Sequence, residues 1–184
     1  ENVDSMLTAY FKNEGDVVFV IGADRCEIGG SEYLSIIHGL IKGECPDVNL
    51  SQEKLINDVV LELNGMKLLK SAHDVSDGGI GIALAECCIM NRNENIGCSV
   101  NLHYKNRFDY SLFSESQGRI LITVERENCK KVSDLLSDKG IQFEEIGVTG
   151  GDELVINDKI KLGLDVLSDR YYNSIHKIME GDSK

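Results

Sequence analysis

Apolar positions along the chain fall into two rhythms, and each predicts its own kind of element. Asp16-Val-Val-Phe-Val-Ile-Gly22 is an unbroken apolar run of β-branched and aromatic residues bounded by turn formers, which predicts a strand buried on both faces. Tyr33, Leu34, Ile36, Ile37, Leu40 and Ile41 fit one face of a helix. Leu55, Ile56, Val59, Val60 and Leu63 do the same over residues 51–64. Ser51 is the expected N-cap there, without a capping box because Lys54 stands three residues on, and Gly65 is the stop. Residues 67–73 predict a second strand, 74–79 a glycine-bearing loop and 80–90 a helix.

Further strands are expected at 97–102 and 119–124, with a helix over 127–139 stopped by Gly140. Residues 143–148 and 153–156 predict a hairpin through Thr149-Gly150-Gly151-Asp152. A short strand at 159–162 follows Asn157-Asp158, and a helix over 164–179 closes the chain. The order is neither a strict βαβ alternation nor all-β, which predicts an α+β fold: a mixed sheet with helices on its faces. One domain over residues 15–180 is expected. Residues 1–14 break at Asn13-Glu14-Gly15-Asp16 and are expected as a linker or remnant of a preceding lobe, and 181–184 as a tail.

Charge and cysteine content narrow the partners. A net charge of −12 argues against a nucleic acid held by its phosphates, which needs clustered Lys and Arg. It leaves room for a small phosphorylated ligand bound by backbone N–H groups. No apolar run approaches the roughly 20 residues that span a bilayer, so no membrane partner is expected. The 6 cysteines include no C-x-x-C pair, which predicts reduced, structural thiols in a cytoplasmic protein. Glu1 opens the chain without an initiator Met or a basic-then-apolar segment, so no signal peptide and an excised or processed piece are expected.

Two segments carry candidate chemistry. Ser71-Ala-His-Asp-Val-Ser-Asp-Gly-Gly79 runs straight into the helix at Ile80. Ser76, Asp77, Gly78 and Gly79 therefore sit where a strand ends and a helix begins, a place where free N–H groups and the helix dipole favour an anion. The alternative is that Ser76 or Asp77 caps the helix and the glycines let it pack against the sheet. In Phe113-Ser-Glu-Ser-Gln-Gly-Arg119, Glu115, Ser116 and Gln117 offer a carboxylate, a hydroxyl and an amide to a polar ligand or to magnesium, or else form a solvated turn. His73 precedes Asp74, but neighbours on a strand point to opposite faces, so a backbone-bonded structural imidazole is expected rather than an acid–base pair.

Taken together, these segments resemble the AIR-synthase-like C-terminal lobe, in its second copy, of the large ATP-using subunit of phosphoribosylformylglycinamidine synthase. The resemblance runs through Gly15-Asp-Val-Val-Phe-Val-Ile-Gly22, Gly29-Gly-Ser-Glu-Tyr-Leu34, the stretch from Ser71 to Glu86, Leu112-Phe-Ser-Glu-Ser-Gln117 and Ile146-Gly-Val-Thr-Gly150. It implies a larger amidoligase that uses ATP and magnesium to convert formylglycinamide ribonucleotide to the amidine, with ammonia from a glutaminase partner. It also implies that the catalytic histidine and most magnesium carboxylates lie in N-terminal lobes outside this chain. Glu115, Ser116 and Gln117 would then face the pseudo-symmetric nucleotide site. This chain alone would be inactive, bind no cofactor tightly, and expose an apolar face prone to self-association. A pure scaffold or docking lobe, and a small ATP-using enzyme of the wider superfamily, are the alternatives; against the latter, the chain lacks an Asp-rich magnesium segment and a Lys-bearing phosphate loop.

Overall fold

A computed structural model describes residues 6–104 and 107–181. The parts of the expected linker and tail at 1–5 and 182–184 lie outside the described residues. The central strand is the one foreseen, β1 (Val17–Ile21). Its alternate side chains feed two cores: Val18 and Val20 point into one, Val17, Phe19 and Ile21 into the other. A strand buried this way has no solvent face, which is why its sequence is apolar throughout.

Around β1 the sheet has seven strands in the order β2-β4-β1-β5-β3-β6-β7. They are β2 (Leu69–Asp74), β3 (Cys98–Val100), β4 (Ile120–Val124), β5 (Phe143–Thr149), β6 (Glu153–Ile156) and β7 (Ile160–Gly163). All neighbours are antiparallel except β3 and β6, which run parallel with Cys98 opposite Leu154. The sheet is mixed and helix-covered, as the element order implied.

On one face lies α3 (Gly79–Ile89), an almost wholly buried helix, with α4 (Phe108–Phe113) and α6 (Leu164–Glu180) against it. On the other, α2 (Leu50–Gly65) sets Ile56, Val59 and Leu63 into the core beside Val132 and Leu136 of α5 (Cys129–Asp138). The short α1 (Glu32–His38) buries no residue at all. Phe11, in the segment expected as a linker or remnant of a preceding lobe, is buried and its N–H donates to the Cys87 carbonyl.

Three sequence expectations change in detail. The N-cap of α2 is Asn49, whose side-chain oxygen accepts from the Gln52 N–H at 3.1 Å; Ser51 sits inside the helix. Residues 143–148 and 153–156 do not form a hairpin. Strand β3 is inserted between them, pairing Cys98 with Thr149 on one side and Leu154 on the other. The glycines at 97 and 147 make room for it: an added Cβ would lie 2.2 Å from the Glu153 carbonyl oxygen and 2.0 Å from that of Ser99, respectively. The true hairpin is β6–β7, where Ile156 pairs with Ile160, Asn157 and Asp158 both take positive φ, at 53° and 52°, and the Lys159 N–H donates to the Ile156 carbonyl at 3.0 Å. The helix α4 had no sequence counterpart.

Candidate functional site

The fold brings the two candidate segments into direct contact. Glu115 lies at the centre: one carboxylate oxygen accepts from the Gly78 N–H at 2.8 Å and from the Glu32 N–H at 2.9 Å. A single side chain thus ties the entry of α3 to the start of α1. Gly79 donates to the Ser76 carbonyl at 3.0 Å. Its missing side chain allows this packing, since a Cβ there would stand 2.5 Å from the Ser114 carbonyl oxygen, and its φ is +66°. The expected pair of free glycine N–H groups is therefore absent. The protein's own carboxylate sits where an external anion would meet the Gly78 donor.

The serines face inward. Ser114 accepts from the Glu27 N–H at 3.1 Å and Ser116 from the Arg25 N–H at 3.2 Å, which fastens residues 24–27 to this turn. Beneath them Arg119 is buried and donates through Nε to the Ser116 carbonyl and through Nη2 to that of Ser114. Of the sequence-derived site residues, Ser76, Asp77 and Gln117 are exposed, Glu115 is half-buried, and Gly78, Gly79 and Ser116 are buried.

His73 is a tethered group. Nδ1 lies 2.6 Å from the Asp74 carbonyl oxygen and Nε2 lies 3.2 Å from a Glu86 carboxylate oxygen. His103 and His176 meet Glu144 and Glu180. Donation to the Glu144 carboxylate raises the pKa of the exposed His103. Among the described residues no group of three or more His, Cys, Asp and Glu side chains could hold a metal ion.

Two concavities flank the 113–119 turn. One is an apolar groove of about 330 Å³ bounded by Tyr33, Ile36, Ile37, Ile82 and Phe113, with Asp77 and Gly78 at its edge. Tyr33 stacks on Phe113 at 4.7 Å and donates its hydroxyl to Asp109. The other, about 650 Å³, opens at one end of the sheet beside Arg119 and draws on Gly22, Asp24, Cys26, Tyr104 and Phe143, among others. Sequence reasoning missed this larger cavity, because its walls come from segments scattered over some 120 positions and no local motif announces it.

A mixed sheet covered on both faces, with a strand-to-helix glycine turn latched by a downstream carboxylate, defines the class as an AIR-synthase-like α+β lobe. A family described as AIR synthase related protein, C-terminal domain, matches residues 13–159, and the chain belongs to that family. Among named relatives, the phosphoribosylformylglycinamidine synthase subunit PurL of Alkaliphilus metalliredigens is 38% identical over 98% of this chain and 24% of its own length. The same subunit from Symbiobacterium thermophilum is 42% identical over 80% of the chain and 19% of its own length. The chain thus spans about a quarter or less of the relatives it matches. Among solved structures, T. maritima PurL complexed with FGAR superposes with a TM-score of 0.74 at 17% identity, covering 90% of this chain and 30% of that one, a likeness of fold.

Proposed function

We propose that the chain is one lobe, the second C-terminal one, of a phosphoribosylformylglycinamidine synthase of the PurL type. That enzyme would use ATP and magnesium to activate the amide oxygen of formylglycinamide ribonucleotide, so that ammonia from a glutaminase partner replaces it. The observation that carries the reading is the 38% identity to a PurL subunit sustained over 98% of the chain. The chemistry demands stabilisation of a transferring phosphoryl group and exclusion of water from a reactive intermediate. In this reading those phosphate and metal contacts belong to other lobes of the enzyme, a view supported by Glu115 occupying the Gly78 donor. This lobe's part is to shape the cleft. Ser76, Asp77 and Gln117 present polar groups outward to a nucleotide, while Gly78, Gly79, Glu115 and Ser116 hold the turns that carry them. The setting is the cytoplasm; within the chain, no described helix is long and apolar enough to cross a membrane.

The test is phosphate release with formylglycinamide ribonucleotide, ammonia or glutamine, and magnesium ATP, run on the full-length protein and on this chain alone. Turnover by the full-length protein and none by the chain is expected. A full-length protein without ammonia-dependent turnover would overturn the amidoligase reading, and turnover by the chain alone would overturn its role as an inactive lobe.

A further inference from the structure

The larger cavity holds a buried cation, Arg119, whose ion pair with Asp24 is long, at 3.8 Å, and on which Glu27 acts as a further acid. The Arg119 side chain is 2% exposed, yet two of its three nitrogens meet only neutral carbonyl oxygens, those of Ser116 and Ser114. The third, Nη1, stands 3.8 Å from Asp24 Oδ1, outside hydrogen-bond range, and that oxygen is already engaged by the Cys26 N–H at 2.8 Å. Buried charges in folded proteins are ordinarily paired and hydrogen-bonded, because removing a lone ion from water is costly. Burial is also the largest influence on this guanidinium, lowering its pKa. The other acid on the cavity wall, Glu144, is occupied by His103.

The surroundings suit a small molecule. The volume, about 650 Å³, falls within the range of ordinary ligand sites. Val20, Ile80, Leu102 and Phe143 supply apolar wall, and Arg25 supplies a second cation at the same cavity. Such sites combine apolar lining with a few fixed polar groups.

We propose that this cavity binds a compact organic anion, with a carboxylate or phosphate oxygen accepting from Arg119 Nη1 and the body of the molecule against the apolar wall. The site is separate from the Glu115 latch and does not depend on the amidoligase reading. Cys26 lines the same cavity and is half-buried, whereas Cys45 is exposed and outside it, so the two thiols form a reporter and its internal reference.

Alkylation of each thiol by iodoacetamide is followed by peptide mass spectrometry with inorganic phosphate, succinate or neutral succinamide present. Phosphate or succinate is expected to slow alkylation of Cys26 by about threefold or more, as occupancy of a saturable site would, and to leave Cys45 unchanged. The arm that protects at the lower concentration distinguishes a phosphate from a carboxylate ligand. Arg119→Met, checked for folding by circular dichroism, should abolish the protection. Should that variant fail to fold, crystals of the unaltered chain soaked in selenate should show anomalous density within hydrogen-bond distance of Arg119 Nη1. Equal Cys26 rates with and without anion, equal slowing of Cys45 or by succinamide, protection that survives in folded Arg119→Met, or selenate found only elsewhere would each overturn the proposal.

Discussion

At the scale of single residues, the Ser76–Gly79 turn shows how one close contact separates a binding role from a packing role. With φ at +66° and the Ser114 carbonyl 2.5 Å from where a Cβ would lie, Gly79 admits no other side chain without backbone movement. Gly79→Val is expected to cost about 3 kcal/mol in urea unfolding, by strain and overpacking together. Ligand affinity in the full-length protein should fall only as far as folding does; loss of affinity with unchanged stability would contradict the packing account. Asp16 gives a prediction in pH. Burial, its largest influence, raises its carboxyl pKa from the ordinary value. The folded chain therefore holds that proton more tightly than the unfolded one. The contribution is full below the unfolded pKa and is lost as pH rises through the folded one. Asp16→Asn should therefore raise the thermal midpoint at neutral pH and leave it little changed in acid; a midpoint that falls at neutral pH would show that the ionised carboxylate is needed.

Among the elements, α2 separates two plausible caps. Asn49 and Ser51 both have side chains suited to the position, but only Asn49 reaches a free N–H of the first turn. Asn49→Ala is expected to destabilise by about 1 kcal/mol, whereas Ser51→Ala should fall within about 0.5 kcal/mol of no effect. Denaturant titration of the two variants side by side checks the order, and the reverse order would mean that the helix starts later in solution. Strand β3 shows the opposite limit of local signals. Its 3 residues owe their place to edges offered by β5 and β6, strands roughly 50 positions later, and to glycines that let the backbones approach.

For the molecule as a whole, α1 is held by Tyr33 and the Glu32 N–H but leaves its isoleucines outward. Ile36 is 73% and Ile37 63% exposed, beside a groove floored by Tyr33, Ile82 and Phe113. An apolar helix with no buried residue is a poor surface to leave in water. The chain is accordingly expected to self-associate with rising concentration, and the double variant Ile36→Asp, Ile37→Asp should sediment as monomer with a thermal midpoint close to the original. A variant that unfolds would show that α1 contributes to the core after all, and one that associates as before would place the contact elsewhere.

Sequence alone determined the elements whose signal is local and repeated. The β1 run, the helical spacing of α2, α5 and α6, and the strand–glycine–helix order at 69–89 are legible because one periodicity decides which face is buried. The composite motif of Ser71 to Glu86 with residues 112–117 also pointed to the family, which the match over residues 13–159 bears out. Tertiary structure decided the rest. Whether the Gly78 N–H was free depended on Glu115, 37 positions away. Whether 143–156 formed a hairpin depended on β3, and the Arg119 cavity exists only where separate loops converge. Local propensity constrains a residue's own dihedrals, whereas a hydrogen-bond partner or a cavity wall is supplied by whichever distant segment the packing brings alongside.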